Sequence, residues 1–318
     1  MSEVVATIRR IDTIYNFMDK VDVLWNEGVR LLRFNLGKTT DYDALTKDIT
    51  AVKEKYSGMK VMIDIPYPGE KVRIRSNKSY DVHLGDCFFF CFNDNLCRGS
   101  LESVRLSCRI DLALNDAVLY NDGEGMFTVI EKKDDGYVVE AKGDFPMLDS
   151  KSLSMKSPSK TTFSLNDITS VPMDYLALSF VESQEVIKEV KMLFQDAKII
   201  AKIETLKGVE NSRQIIDAAD GIMIARGDLG LNVPVKDLFG IEKELADLAK
   251  EKRKICFVAT DIMQTMRNRF FPSRADINDF YNLMTLGVDG YVISLQLAVS
   301  DHVSNAFSYM KMIDERLQ

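Results

Sequence analysis

Residues 197–230, AKIIAKIETLKGVENSRQIIDAADGIMIARGDLG, constrain the fold more than any other stretch of the chain. Two short apolar runs, AKIIAKIE and DGIMIARGD, flank a segment of helical character, LKGVENSRQIIDAA. Apolar runs of this length, separated by one helix, are the β-α-β signature of a parallel sheet. Lys202 and Glu204 lie two residues apart on the first run, so both point to one face of the strand. Asp228 follows the second run, after Arg226 and Gly227. Two carboxylates and a lysine at neighbouring C-terminal strand ends suit a hard divalent cation beside an anionic substrate. The same charges also suit a salt-bridged barrel rim.

The alternation extends along the chain. EVVATI (3–8) reads as a strand, and 12–29 as a helix with Ile14, Phe17, Met18, Val21 and Leu24 inward. Strands follow at 29–35 and 59–65, around a helix that opens on aspartate caps and runs to about residue 56. Segments 72–75, 80–92, 105–120, 126–131 and 137–142 are short and strand-like, separated by turns such as NDGEG and KDDGY. Beyond the polar run KSLSMKSPSKTTFS the α/β pattern resumes, with strands at 174–180, 254–260 and 290–294 besides the two core runs. Helices are expected at 184–195, 236–253, 276–287 and 299–317, with Ile241, Leu245 and Leu248 packing inward. Eight strands alternating with helices make an α/β chain, a (β/α)8 TIM barrel with a small all-β domain inserted after the third strand. The expected bounds are 1–70 and 156–318 for the barrel and 71–155 for the insert.

Composition narrows the function. A net charge of −7 argues against a nucleic-acid surface, and no stretch approaches the ~20 apolar residues of a membrane span. The N-terminus lacks a signal-peptide core, which points to a cytoplasmic protein. Cys87, Cys91, Cys97, Cys108 and Cys256 include no CxxC pair and are odd in number, so they read as reduced packing residues. His83 and His302 lie far from any motif, and FFFCF (88–92) reads as strand core.

AKIET followed by DGIMIARGDLG resembles the core motif of the pyruvate kinase family. The resemblance implies Mg²⁺ or Mn²⁺ held by Glu204 and Asp228, with Lys202 beside a transferring phosphoryl group. It implies a substrate site at Ala225, Arg226, Gly227 and Asp228, the amides of Gly227 and Asp228 lying near the substrate carboxylate. RFNLGK (33–38) resembles the family's R-x-N-x-S-H, keeping Arg33 and Asn35 but carrying Gly37 and Lys38. Arg33 would neutralise a phosphoryl oxygen. Asp64 is kept in IDIPYPGEKVRIR, whereas Ile65 and Pro66 replace a threonine and a lysine, and Arg73 stands near the family's arginine. Two of the four side chains of the family's K⁺ site are therefore gone, and Lys38 would place an ammonium near it.

ALSFVES keeps Ser179 but has Glu182 and Ser183 where the family has arginine and lysine. Thr260 stands where the family places a hydroxyl near the enolate carbon, and Ser294 is kept in VISLQLA. Both hydroxyls would equally serve as strand-end caps. The enolate end is thus retained and the nucleotide end rewritten. The chain stops after the eighth barrel helix, so the family's further effector-binding domain is expected to be absent; a homo-oligomer remains compatible.

The expectation is a metal-dependent enzyme acting on phosphoenolpyruvate, pyruvate or a similar 2-oxo acid, with phosphoryl transfer to a nucleotide and the insert closing as a lid. Its rivals are an enolate enzyme without nucleotide chemistry (lyase, aldolase or decarboxylase) and a catalytically silent homologue.

Overall fold

The computed structural model describes residues 3–10, 16–38, 41–76, 78–92, 101–149, 151–155, 159–160 and 163–317. Eight parallel strands pair in sequence order: β1 (Glu3–Thr7), β2 (Leu31–Asn35), β3 (Lys60–Glu70), β4 (Tyr175–Ser179), β5 (Lys198–Ile203), β6 (Gly221–Ala225), β7 (Ile255–Ala259) and β8 (Gly290–Ile293). The pairing of β8 with β1 closes the ring. The chain divides into two compact units, one of Met1–Pro68, Thr162–Leu229 and Lys236–Gln318, the other of Gly69–Thr161 with Gly230–Val235.

Helices α1 (Phe17–Asn26), α2 (Tyr42–Lys55) and α3 (Gln184–Leu193) follow β1, β2 and β4. The side chain of Asn16 accepts from the Met18 amide and caps α1, while residues 11–15 lie outside the described residues. Phe17, Val21 and Leu24 are buried as expected and Met18 is half-buried, while Ile14 lies outside the described residues. Asp41 caps α2 by accepting from the Ala44 amide at 2.9 Å.

The helix expected between β5 and β6 is in fact two, α4 (Leu206–Glu210) and α5 (Ser212–Ala218). The break falls at Asn211, whose side-chain amide donates to the Glu182 carbonyl at 2.8 Å. Short polar side chains that find such partners compete with helix continuation.

After β6 come α6 (Arg226–Asn232) and α7 (Leu238–Glu251). On α7 Leu245 is buried, Ile241 and Leu248 are only half-buried, and Glu242 takes a buried place. Then follow α8 (Arg274–Leu286), started by a Ser273–Asp276 capping box, α9 (Leu295–Ala298) and α10 (Val303–Leu317). Among the described residues no helix is long and apolar enough to cross a membrane.

The interior of the ring is filled by one apolar cluster that includes Val5, Leu31, Met62, Ala177, Ile200, Met223, Phe257 and Val292. At the N-terminal face, aspartates tie strands together. Asp174, Asp220 and Asp289 precede β4, β6 and β8, and their carboxylates accept from the amides of Val61, Ile199 and Cys256, each at 2.8 Å. Backbone bonds run beside them: the Asp220 amide donates to Ile199, and the Ile255 amide to Asp220. Gly221 follows because a Cβ there would lie 2.6 Å from the Ile255 carbonyl oxygen.

The second unit is a barrel in its own right. Seven strands close in the order 136–141, 87–91, 102–106, 72–75, 152–154, 117–120 and 125–133. Phe88, Phe90, Tyr120, Phe127 and Phe145 are buried in its core, so FFFCF is strand core. Cys91 is buried and Cys87 and Cys108 are half-buried, all as free thiols, while Cys97 lies outside the described residues.

Asp220 also binds Lys191 at 2.8 Å, so Asp220→Ala leaves one strand amide and one ammonium without their acceptor. The expected loss is about 1–2 kcal/mol, read from the urea midpoint, with Asp220→Asn recovering much of it because the amide oxygen still accepts from Ile199.

Candidate active site

The strand period of two builds the site. Thr7, Arg33, Asp64, Ser179 and Lys202 each lie two residues beyond an inward apolar residue, namely Val5, Leu31, Met62, Ala177 and Ile200. Five strands thus bring a polar layer onto the C-terminal side of the apolar plug. Thr7 carries no motif in the sequence, yet the period alone identifies it.

Asp64 and Glu204 are each 2% exposed and Lys202 is 7% exposed. The Lys202 ammonium lies 3.2 Å from Asp64 Oδ1 and 3.2 Å from Glu204 Oε1, and donates to Ser179 Oγ at 3.0 Å. Ser179 in turn donates to the Ile65 carbonyl at 2.9 Å. Arg33 donates through Nε to Asp64 Oδ2 at 2.8 Å and through Nη1 to Thr7 Oγ1 at 2.8 Å. Glu204 Oε2 accepts from the Phe180 amide at 2.6 Å, and Phe180 holds a left-handed φ of 54° to present it.

Charge balance decides the protonation states. Burial pushes Asp64 up, but Lys202 and Arg33 outweigh it and hold the carboxyl below its usual range. Burial pushes Lys202 down, and the carboxylates of Asp64 and Glu204 more than offset this, leaving it raised. Glu204 is different. Burial lifts it to about 7 against the pull of Lys202, and the like charge of Asp228 adds to the lift. Arg33 and Lys202 thus share one layer with the carboxylates of Asp64 and Glu204, and the Asp228 carboxylate acts on it from the next strand end.

Two carboxylates that repel each other, Glu204 and Asp228, are a donor set suited to a hard cation. Asp228, in the first turn of α6, is 8% exposed and acts electrostatically on both Lys202 and Glu204. Among the described residues no three or more His, Cys, Asp or Glu side chains gather to hold a metal. An ion held by two carboxylates alone keeps sites open for water and substrate oxygens, as Mg²⁺ habitually does.

Beyond β6 and β7 the backbone is strained. Thr260, Asp261 and Met263 have φ of 83°, 59° and 50°, a region costly for a β-branched threonine. A Cβ on Gly227 would lie 3.0 Å from Thr260 Cγ2 and 3.2 Å from its Oγ1, so Thr260 packs directly on the Gly227 peptide. Ala225, at the end of β6, is buried. Arg226 donates to the Thr260 carbonyl through Nε at 3.2 Å and Nη2 at 2.6 Å, and to Asp279 through Nη1 at 2.6 Å and Nη2 at 2.8 Å. Its guanidinium is thus engaged with protein groups rather than offered whole to a substrate. Asp279, on α8, has no signal in the sequence, because its partner lies 53 residues earlier.

Ser294 caps α9, accepting from the Leu297 amide at 3.2 Å, and donates to Gln264 at 2.8 Å. Asn35 is exposed at the end of β2 and accepts from the Gly37 amide at 3.0 Å. Lys38 closes the helical turn Leu36–Lys38. Arg73 belongs to the second unit, on the strand Val72–Arg75. Glu182, where the resemblance expects arginine, accepts from Thr205 Oγ1 at 2.9 Å and lies 3.2 Å from the Lys207 ammonium.

A family model described as pyruvate kinase, barrel domain, matches residues 2–306. The pyruvate kinase of Thermotoga maritima is 27% identical over 98% of this chain and 70% of its own length. That of Buchnera aphidicola is 27% identical over 98% of the chain and 69% of its own length. That of Methanocaldococcus jannaschii is 28% identical over 89% of the chain and 63% of its own length. With the matched barrel and a polar layer at its C-terminal strand ends, the chain belongs to the pyruvate kinase family.

Proposed function

We propose that the chain transfers a phosphoryl group between phosphoenolpyruvate and a nucleotide by way of an enolate. The observation that carries the reading is the interlinked set Arg33, Asp64, Lys202 and Glu204 at the C-terminal strand ends, with the Asp228 carboxylate acting on both Lys202 and Glu204. Glu204 and Asp228 would hold Mg²⁺ or Mn²⁺, which supplies Lewis-acid stabilisation of an enolate oxygen when bound. Lys202 and Arg33 place two positive charges for a phosphoryl group whose transfer depends chiefly on positioning and electrostatics. Asp64 keeps both of them oriented through its two oxygens. The Gly227 and Asp228 amides, in the first turn of α6, would take the substrate carboxylate. Thr260, packed on Gly227, would hold its hydroxyl at the carbon that gains or loses a proton.

The test is proton NMR of pyruvate in D₂O with Mg²⁺, followed by pyruvate formation from phosphoenolpyruvate with a panel of nucleoside diphosphates. Metal-dependent methyl exchange and pyruvate formation are both expected. Exchange without pyruvate from any diphosphate would refute phosphoryl transfer and leave the enolate chemistry standing. Glu204→Gln is expected to slow exchange by about 10²–10³-fold, the scale of losing one preorganised electrostatic group.

A pH dependence follows from Glu204. Its folded pKa is raised to about 7, so below that pH the carboxyl is protonated and must lose its proton before it can ligate. Mn²⁺ affinity without substrate is therefore expected to rise as pH increases through about 7, with proton uptake by buffer, in titration calorimetry across buffers of different ionisation heat. An affinity flat across that range would contradict a ligand role for Glu204.

A further inference from the structure

We infer that Arg226 and Asp279 are positioning residues that set the Thr260 hydroxyl by clamping its backbone; the inference rests on the enolate reading above. Thr260 carries a left-handed φ of 83°, a conformation a β-branched residue keeps only when its surroundings impose it. The imposing group is visible. Arg226 Nη2 and Nε both donate to the Thr260 carbonyl, at 2.6 Å and 3.2 Å. The same guanidinium is fixed from its other side by Asp279, through two bonds of 2.6 Å and 2.8 Å.

A guanidinium has five N–H donors in a rigid plane. Held edge-on by a carboxylate, it can point its remaining donors in one direction only, which makes the fork a template for the carbonyl beyond it. The three elements involved are the start of α6, the loop after β7 and the body of α8. Two of them, α6 and the loop, carry the groups assigned above to substrate carboxylate and proton transfer. Rotation of the Thr260 peptide would move its side chain against Gly227, since a Cβ on Gly227 would already lie 3.0 Å from Thr260 Cγ2. The clamp therefore controls where the hydroxyl points without touching substrate. Arg226 is nearly buried, with its side chain 10% exposed, while Asp279 keeps 35% exposure. The carboxylate is thus the more accessible handle for a mild substitution.

The experiment uses Arg226→Lys and Asp279→Asn in the full chain. Lysine keeps the charge but lacks the planar fork, and asparagine keeps the shape but loses one charged acceptor. Pyruvate methyl exchange in D₂O is measured with Mg²⁺, together with KM for pyruvate, the Kd for Mn²⁺, and the methyl resonance of Thr260 in threonine-labelled protein. The expected result is a fall in exchange kcat of about 10–100-fold, with KM and Mn²⁺ affinity within about twofold. A shifted or split Thr260 methyl signal should accompany it, and Asp279→Asn should show the smaller change. Unchanged kcat in both variants, or losses in KM and metal affinity that match the loss in kcat, would overturn the inference. Should the wild-type chain show no exchange, the enolate reading fails on its own. The Thr260 methyl signal then still decides the clamp, since an unshifted resonance in both variants would refute it.

Discussion

The site depends on one electrostatic constraint: the Lys202 ammonium, almost wholly buried, shared between Asp64 and Glu204 at 3.2 Å each. Removing such charges from water is costly, and the cost is offset only if every remaining donor and acceptor is satisfied. Here Ser179, Thr7 and the Phe180 amide supply the remaining partners. The polar layer and the apolar plug beneath it are two consequences of the same alternation. Five strands turn their lining residue from apolar to polar after two positions, so the dry plug forms the floor on which the charges are held. A group that is desolvated and fixed from below offers its field in one direction, which is the preorganisation that electrostatic catalysis needs.

The aspartates at the opposite face serve a different end. Asp174, Asp220 and Asp289 recur before alternate strands and each accepts from the amide of the preceding strand. They fix the relative heights of neighbouring strands. In a closed barrel those heights determine which residues reach the top together, since a shift of one residue would turn each lining side chain outward. The stability of the floor and the alignment of the charged layer are thereby linked through strand register.

Much of this was legible in the sequence, and for a physical reason. Apolar runs separated by helical segments report local geometry, and residues two apart on a strand must share a face, which put Lys202 and Glu204 together. What escaped was nonlocal. Closure of the insert into its own seven-stranded barrel depends on the pairing of strands 72–75 and 102–106 with distant partners, and no local pattern encodes it. The break at Asn211 depends on the Glu182 carbonyl. Arg226 has a motif, but its partner Asp279 sits on a helix whose surface pattern looks ordinary. Glu242 is buried among apparently apolar helix positions, where burial raises its carboxyl to about 7 in the field of Arg226 and Asp279.

The contrast between the two ends of the resemblance has a structural basis. Arg33, Asp64, Lys202 and Glu204 are coupled: without Lys202 the buried Glu204 loses its cation, and without Asp64 the Arg33 guanidinium loses its carboxylate, each a change of several kcal/mol in a typical protein interior. One departure from the family pattern, Ile65, is fully buried beside Asp64, while others are in contact with water. Glu182 is partly exposed and finds its own partners in Thr205 and Lys207. Gly37 lies in an exposed turn. A side chain in contact with water exchanges one set of hydrogen bonds for another at little cost. Substitution at such positions alters what can bind without disturbing what holds the charged layer. Change at those exposed positions is therefore open to this fold while the charged layer stays fixed.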